Sequence, residues 1–206
     1  MEPNTIWFGF RKYKGYIMFI QTEQTPNPST LKFIPGHTII KGGTVNFSKA
    51  EDAIDISNFA VALFTIEGIT GVFLGGEFIT LTKASDADWV DLKPKVLGEM
   101  IDYLSSDKSI MVENANLKDT EVQKTFTTDE QSIVDQIKEL LDSRVRPAVA
   151  QDGGDIIFHD YDEGIVYLSM LGACEGCPSS TATLKIGIEN MLKYYIPEII
   201  EVRAIN

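Results

Sequence analysis

Residues 105–127 are polar and carry no sustained hydrophobic period, and this stretch constrains the fold more than any other feature of the chain. It reads as a flexible linker with at most one loose turn. It divides 206 residues into two pieces, each long enough for one small core. The expected architecture is therefore α/β (α+β), with two small domains joined by that linker. Residues 1–17 form an N-terminal extension, expected to be disordered, 18–104 a first domain and 128–206 a second. The second is expected to be a short sheet packed with two helices.

Hydrophobic spacing fills in the elements. Phe19 to Glu23 and Thr30 to Phe33 read as strands around the Pro26-Asn27-Pro28 turn. Ile56 to Ile66 has helical spacing and stops before Gly68. Val72-Phe73-Leu74, Gly75-Gly76 and Phe78 to Leu81 form a hairpin signal. Pro94 suits the first turn of a helix burying Leu97, Ile101 and Leu104. In the second domain Thr128 with Gln131 fits a capping box, and Pro147 interrupts or restarts the helix that follows. Asp152-Gly153-Gly154-Asp155 reads as a structural turn into a hairpin, Ile156 to Phe158 and Ile165 to Leu168. A helix opened by Pro178 and a short strand over Ile199 to Val202 complete it.

Composition limits the partners. The formal charge of −12 opposes nucleic acid, because phosphate recognition needs a basic surface. Residues 129–206 carry six basic against fourteen acidic side chains, so the second domain also disfavours anionic lipid. No apolar run approaches the roughly 20 residues of a membrane-spanning helix. Residues 1–17 contain Arg11, Lys12 and Lys14 but neither a signal-peptide core nor the serine and arginine richness of a transit peptide. Met18 is an alternative start.

Both cysteines, Cys174 and Cys177, stand three residues apart in Gly172-Ala173-Cys174-Glu175-Gly176-Cys177-Pro178. Disulfide scaffolds spread their cysteines to close long loops, so this spacing reads as metal or redox chemistry in a reducing compartment. Thiolates are the soft anionic ligands iron–sulfur clusters take, and the helix start at Pro178 is expected to lower the pKa of Cys177, which sits at its N-terminal edge. Gly172 and Gly176 are expected to bring backbone N–H groups near sulfide. A cluster normally takes four thiolates, so two per chain imply a homodimer sharing one cluster. Three readings compete: a thioredoxin-like dithiol oxidoreductase; a structural zinc-binding module needing further ligands, with His159 and Asp160 nearest but beyond the far end of a hairpin strand; and two buried cysteines packing as small hydrophobes, which two glycines and a glutamate oppose. His37 reads as a solvated turn residue and His159 as a strand-end residue.

Arg146 to Asp155 (RPAVAQDGGD) and Leu171 to Thr181 (LGACEGCPSST) together closely resemble the C-terminal domain of NifU-like (Nfu) scaffold proteins. Gln24 to Pro28, Leu31-Lys32-Phe33 and Gly71-Val72-Phe73 are similar to the Nfu N-terminal domain. The resemblance spans nearly the whole chain from Met18. It implies a [4Fe-4S] cluster shared between two subunits, with Cys174 and Cys177 as ligands. It also implies a carrier rather than an enzyme: upstream cluster assembly proteins are the donors and apo iron–sulfur proteins the acceptors. The implied compartment is the bacterial cytoplasm or, alternatively, the mitochondrial matrix. Glu175 departs from the small residue common at its position in the family. A carboxylate there is expected to make a negatively charged cluster more labile.

Overall fold

A computed structural model of the chain describes residues 19–106, 108–112, 126–176 and 178–205, with the backbone alone at 12–13, 16–17 and 178–181. Residues 12–13 and 16–17, inside the segment expected to be a disordered extension, pair as an antiparallel ladder, Lys12 with Ile17 and Tyr13 with Tyr16.

The first domain is a five-stranded antiparallel sheet with helices on one face. Its strands are β1 (Gln21–Gln24), β2 (Thr30–Ile34), β3 (Val45–Phe47), β4 (Ile69–Leu74) and β5 (Ile79–Lys83), in the order β1-β2-β5-β4-β3. Helices α1 (Ala50–Ala53), α2 (Asn58–Phe64) and α3 (Trp89–Leu104) supply the rest of its core. Alternate strand residues Leu31, Phe33, Val72, Leu74, Ile79 and Leu81 pack there with Phe59, Leu63, Val96 and Met100. Strand β3 and helix α1 were not foreseen from the sequence; each is too short to show a period. Helix α3 starts at Trp89, a turn before Pro94, because the Asp88 carboxylate accepts from the Val90 N–H at 2.9 Å and caps it there. Pro94 therefore lies inside the helix rather than in its first turn.

The segment expected to be a linker begins folded. Ile110 and Met111 pack on the first core, and the Val112 N–H donates to the Ile56 carbonyl at 2.9 Å. Residues 113–125 lie outside the described residues.

The second domain opens with α4 (Thr128–Leu140), capped by Thr127 with Glu130 in a reciprocal capping box. This is one residue earlier than Thr128 and Gln131, and it places an ionised carboxylate at the positive helix end. The helix is interrupted ahead of Pro147 and restarts with the proline in its first turn, as expected. It widens into a π turn over Leu141–Val145 and continues as α5 (Arg146–Gln151), giving the proline ring room beside the preceding carbonyls. Strands β6 (Gly154–Asp162) and β7 (Ile165–Gly172) form the hairpin, α6 (Pro178–Tyr195) crosses over, and β8 (Glu201–Ile205) pairs parallel to β7. The sheet order is β8-β7-β6. His159 is not at a strand end: it is the extra residue of a bulge within β6, where Phe158 opposes Leu168 and Asp160 opposes Tyr167. The core of Val134, Ile137, Ile156, Leu168, Ile188, Leu192 and Val202 lies between sheet and helices.

The second face of the large sheet is not left to water. Thr30, Lys32, Phe73 and Thr80 alternate with the core residues of β2, β4 and β5 and are buried as well. What covers Lys32, Phe73 and Thr80 is the cysteine end of the second domain.

Candidate functional site

The site is built on the Gly153-Gly154 turn and the end of β7. Gly154 pairs with Gly172 across the hairpin. The chain then folds into consecutive tight turns: Ala173 N–H donates to Gly153 O at 3.2 Å, Cys174 N–H to Leu171 O at 3.3 Å, and Glu175 N–H to Gly172 O at 3.1 Å. Gly172 requires its positive φ of 62°, and a Cβ there would stand 2.7 Å from the Gly153 carbonyl and 2.9 Å from the Phe73 ring. A Cβ on Gly154 would lie 2.5 Å from Cys174 Sγ. The glycines thus let two backbone segments and a sulfur pack in direct contact. Gly172 does not aim N–H groups outward, as expected from sequence; those of residues 173–175 are used within the turns.

Cys174 is 5% exposed and belongs to the second domain's core. Burial pushes its thiol up to about 12, with the charges of Asp152 and Asp155 adding to the rise. The depression expected from the helix start concerns Cys177. Cys177 lies outside the described residues. Gly176, with φ of 74°, has open space around it.

Asp155 anchors the turn. It is 3% exposed and its carboxylate accepts from Arg146 Nε and Nη2, each at 2.8 Å, from the Ile156 N–H at 2.8 Å and from Thr44 Oγ1 at 2.7 Å. Arg146 also reaches Asp142 at 3.0 Å, and its guanidinium is held more firmly protonated, first by the Asp155 hydrogen bond. This fork explains why an acid can be buried beside the glycine turn. Its signal in the sequence was an arginine and an aspartate bracketing that turn, which composition alone reads as solvated charge.

The first domain touches the loop directly. Asn27 Nδ2 donates to the Glu175 carbonyl at 2.9 Å, and Asn46 Nδ2 to the Glu175 carboxylate at 3.1 Å. Thr80 Oγ1 donates to Gly153 O at 2.7 Å and Lys32 Nζ to Gln151 O at 2.9 Å. His37 is exposed in a turn. His159, in its bulge, has its pKa lowered by burial. Among the described residues no group of three His, Cys, Asp or Glu could hold a metal ion, and no helix is long and apolar enough to cross a membrane.

Comparison with known proteins matches both halves. Residues 20–107 fit the family of the scaffold protein Nfu/NifU N terminal, and residues 137–203 fit the NifU-like domain. A protein of Drosophila willistoni named NFU1 iron-sulfur cluster scaffold homolog, mitochondrial, is 46% identical over 189 residues, 91% of this chain and 64% of the relative. The chain belongs to the Nfu family. The protein of the same name from Drosophila virilis is 45% identical over 189 residues, 91% of this chain and 62% of its own length. This Nfu chain thus spans less than two thirds of those relatives. A solution structure of a NifU-like protein from Saccharomyces cerevisiae covers 53% of this chain and 98% of its own at 20% identity, with a TM-score of 0.42.

Proposed function

We propose that this Nfu chain is an iron–sulfur cluster carrier, which takes a [4Fe-4S] cluster as cargo between two copies and passes it to apo-proteins. The observation that carries the reading is the thiol count. Two cysteines, Cys174 and Cys177, fall on one loop of a NifU-like domain, half of the four thiolates a cluster takes. A loop with half the ligands needs a second copy and gives up its cargo readily. The names of the relatives support both the scaffold role and, of the two expected compartments, the mitochondrial one.

Gly176 has open space where a side chain would stand, and Cys174, buried in the second core, must turn outward to act as a ligand. Transfer is ligand exchange: each incoming acceptor thiolate forms one iron–sulfur bond as one chain thiolate leaves, with no net oxidation. Upstream assembly proteins serve as donors and apo iron–sulfur proteins as acceptors.

Anaerobic reconstitution followed by mass, iron and sulfide analysis tests the proposal. Four irons per dimer are expected, lost in Cys174→Ala and in Cys177→Ala. A colourless product holding zinc would overturn it in favour of a zinc module.

A further inference from the structure

The cysteine loop is gripped from both sides. On one side lies its own domain: Cys174 Sγ rests against Gly154 and the second core. On the other lies the face of the large sheet that carries Asn27, Lys32, Phe73 and Thr80. Phe73 is 2% exposed, lies outside the first domain's own core, and abuts Gly172, the residue at which β7 becomes the loop. Its ring stacks at a tilt on Phe78, 5.7 Å between centroids. Thr80, Lys32 and Asn27 then donate to three main-chain carbonyls of the other domain, at Gly153, Gln151 and Glu175. The Thr80 bond to Gly153 is buried and those of Lys32 and Asn27 are part-buried, and three such bonds around the buried Phe73 are the pattern of a formed interface rather than of two surfaces in passing contact.

We propose that the N-terminal sheet is a cap for the cysteine loop, and that Glu175 is its latch. In the capped form Cys174 is buried, so the cap must open before two loops can share one cluster. The proposal builds on the carrier reading for what the loop finally holds. The steric case is direct. Glu175 lies between the two cysteines in sequence, and both its carbonyl and its carboxylate are held by the cap, through Asn27 and Asn46. Turning Cys174 outward re-forms the turns of residues 172–176, and that movement breaks both contacts. Glu175 thereby acquires a role distinct from its charge beside a cluster. The small residue common in its place could still offer its carbonyl to Asn27 but gives Asn46 no carboxylate.

The test uses metal-free full-length protein carrying Cys177→Ser, which leaves Cys174 as the chain's one thiol, and reads its rate of alkylation by iodoacetamide. Asn46→Asp sets a second carboxylate against Glu175, and the rate is expected to rise about five-fold as the latch opens. Asn46→Lys pairs with Glu175, and the rate is expected to fall. Both changes run opposite to what the new charge alone does to a thiol, since added negative charge suppresses thiolate and added positive charge promotes it. Rates that are unchanged, or that follow the charge alone, overturn the cap. As an independent measure, Asn46→Cys with Glu175→Cys, in a Cys174→Ser/Cys177→Ser background, is expected to cross-link readily under mild oxidation. Failure to do so in the folded protein also overturns it. Neither assay contains iron, so the two readings fail separately. Faster alkylation in Asn46→Asp with no iron taken up on reconstitution keeps the cap and removes the carrier. Normal iron uptake with unmoved alkylation does the reverse.

Discussion

Gly154 shows how a single missing methyl group shapes the site. A side chain there meets Cys174 Sγ at 2.5 Å and the Leu171 carbonyl at 2.6 Å, and the latter is backbone that cannot step aside. Gly154→Ala is expected to cost about 3 kcal/mol, read as a lowered urea midpoint with an unchanged slope. Cys174 and Cys177 were legible as a pair from spacing alone, because few other chemistries need two thiols so close. The state of Cys174 was not legible. Nothing in the spacing shows that the fold turns this one toward the core, where burial raises its pKa. Arg146 and Asp155 were hidden for a related reason: charged residues in sequence give no sign of whether they will be buried against each other.

At the scale of elements, Glu189 ties α6 to β8. Its carboxylate accepts from Lys193 Nζ at 2.6 Å and from the Val202 N–H at 3.0 Å. The Lys193 hydrogen bond, then that of Val202, holds its pKa below the usual carboxylate range. A folded pKa below the unfolded value means stability that is present above about pH 4.5 and lost as pH falls through the folded value. Glu189→Gln is expected to cost about 1 kcal/mol at neutral pH and to flatten that acid loss, measured by urea midpoints at about pH 7 and about pH 4. The long periodic helices and both hairpins were readable from their spacing. Their starts were displaced where two capping signals competed, Asp88 against Pro94 and Thr127 with Glu130 against Thr128 with Gln131. The π turn before Pro147 was unreadable, since a proline signals disruption without saying which relief the helix adopts.

For the molecule as a whole, charge and coverage matter most. The segment 129–206 carries six basic against fourteen acidic side chains, so two cluster-sharing copies bring like charges together. Raising salt from about 50 to about 500 mM is therefore expected to increase the dimer share of the reconstituted protein, seen by light scattering. The division into two domains could be read from the polar stretch between them. Their contact could not: Lys32 and Thr80 alternate with apolar residues exactly as a solvent-facing row would, and only the fold shows that face covered. The parallel pairing of β8 with β7 adds a consequence in time. Domains fold as units while synthesis proceeds from the N-terminus, so the large sheet is finished before Glu201–Ile205 has left the ribosome. The polar face with Asn27, Lys32 and Thr80 is then already in place when the strand leading to Cys174 gains its last neighbour. The cysteine loop takes its shape on a surface made ahead of it, as a casting does in a mould.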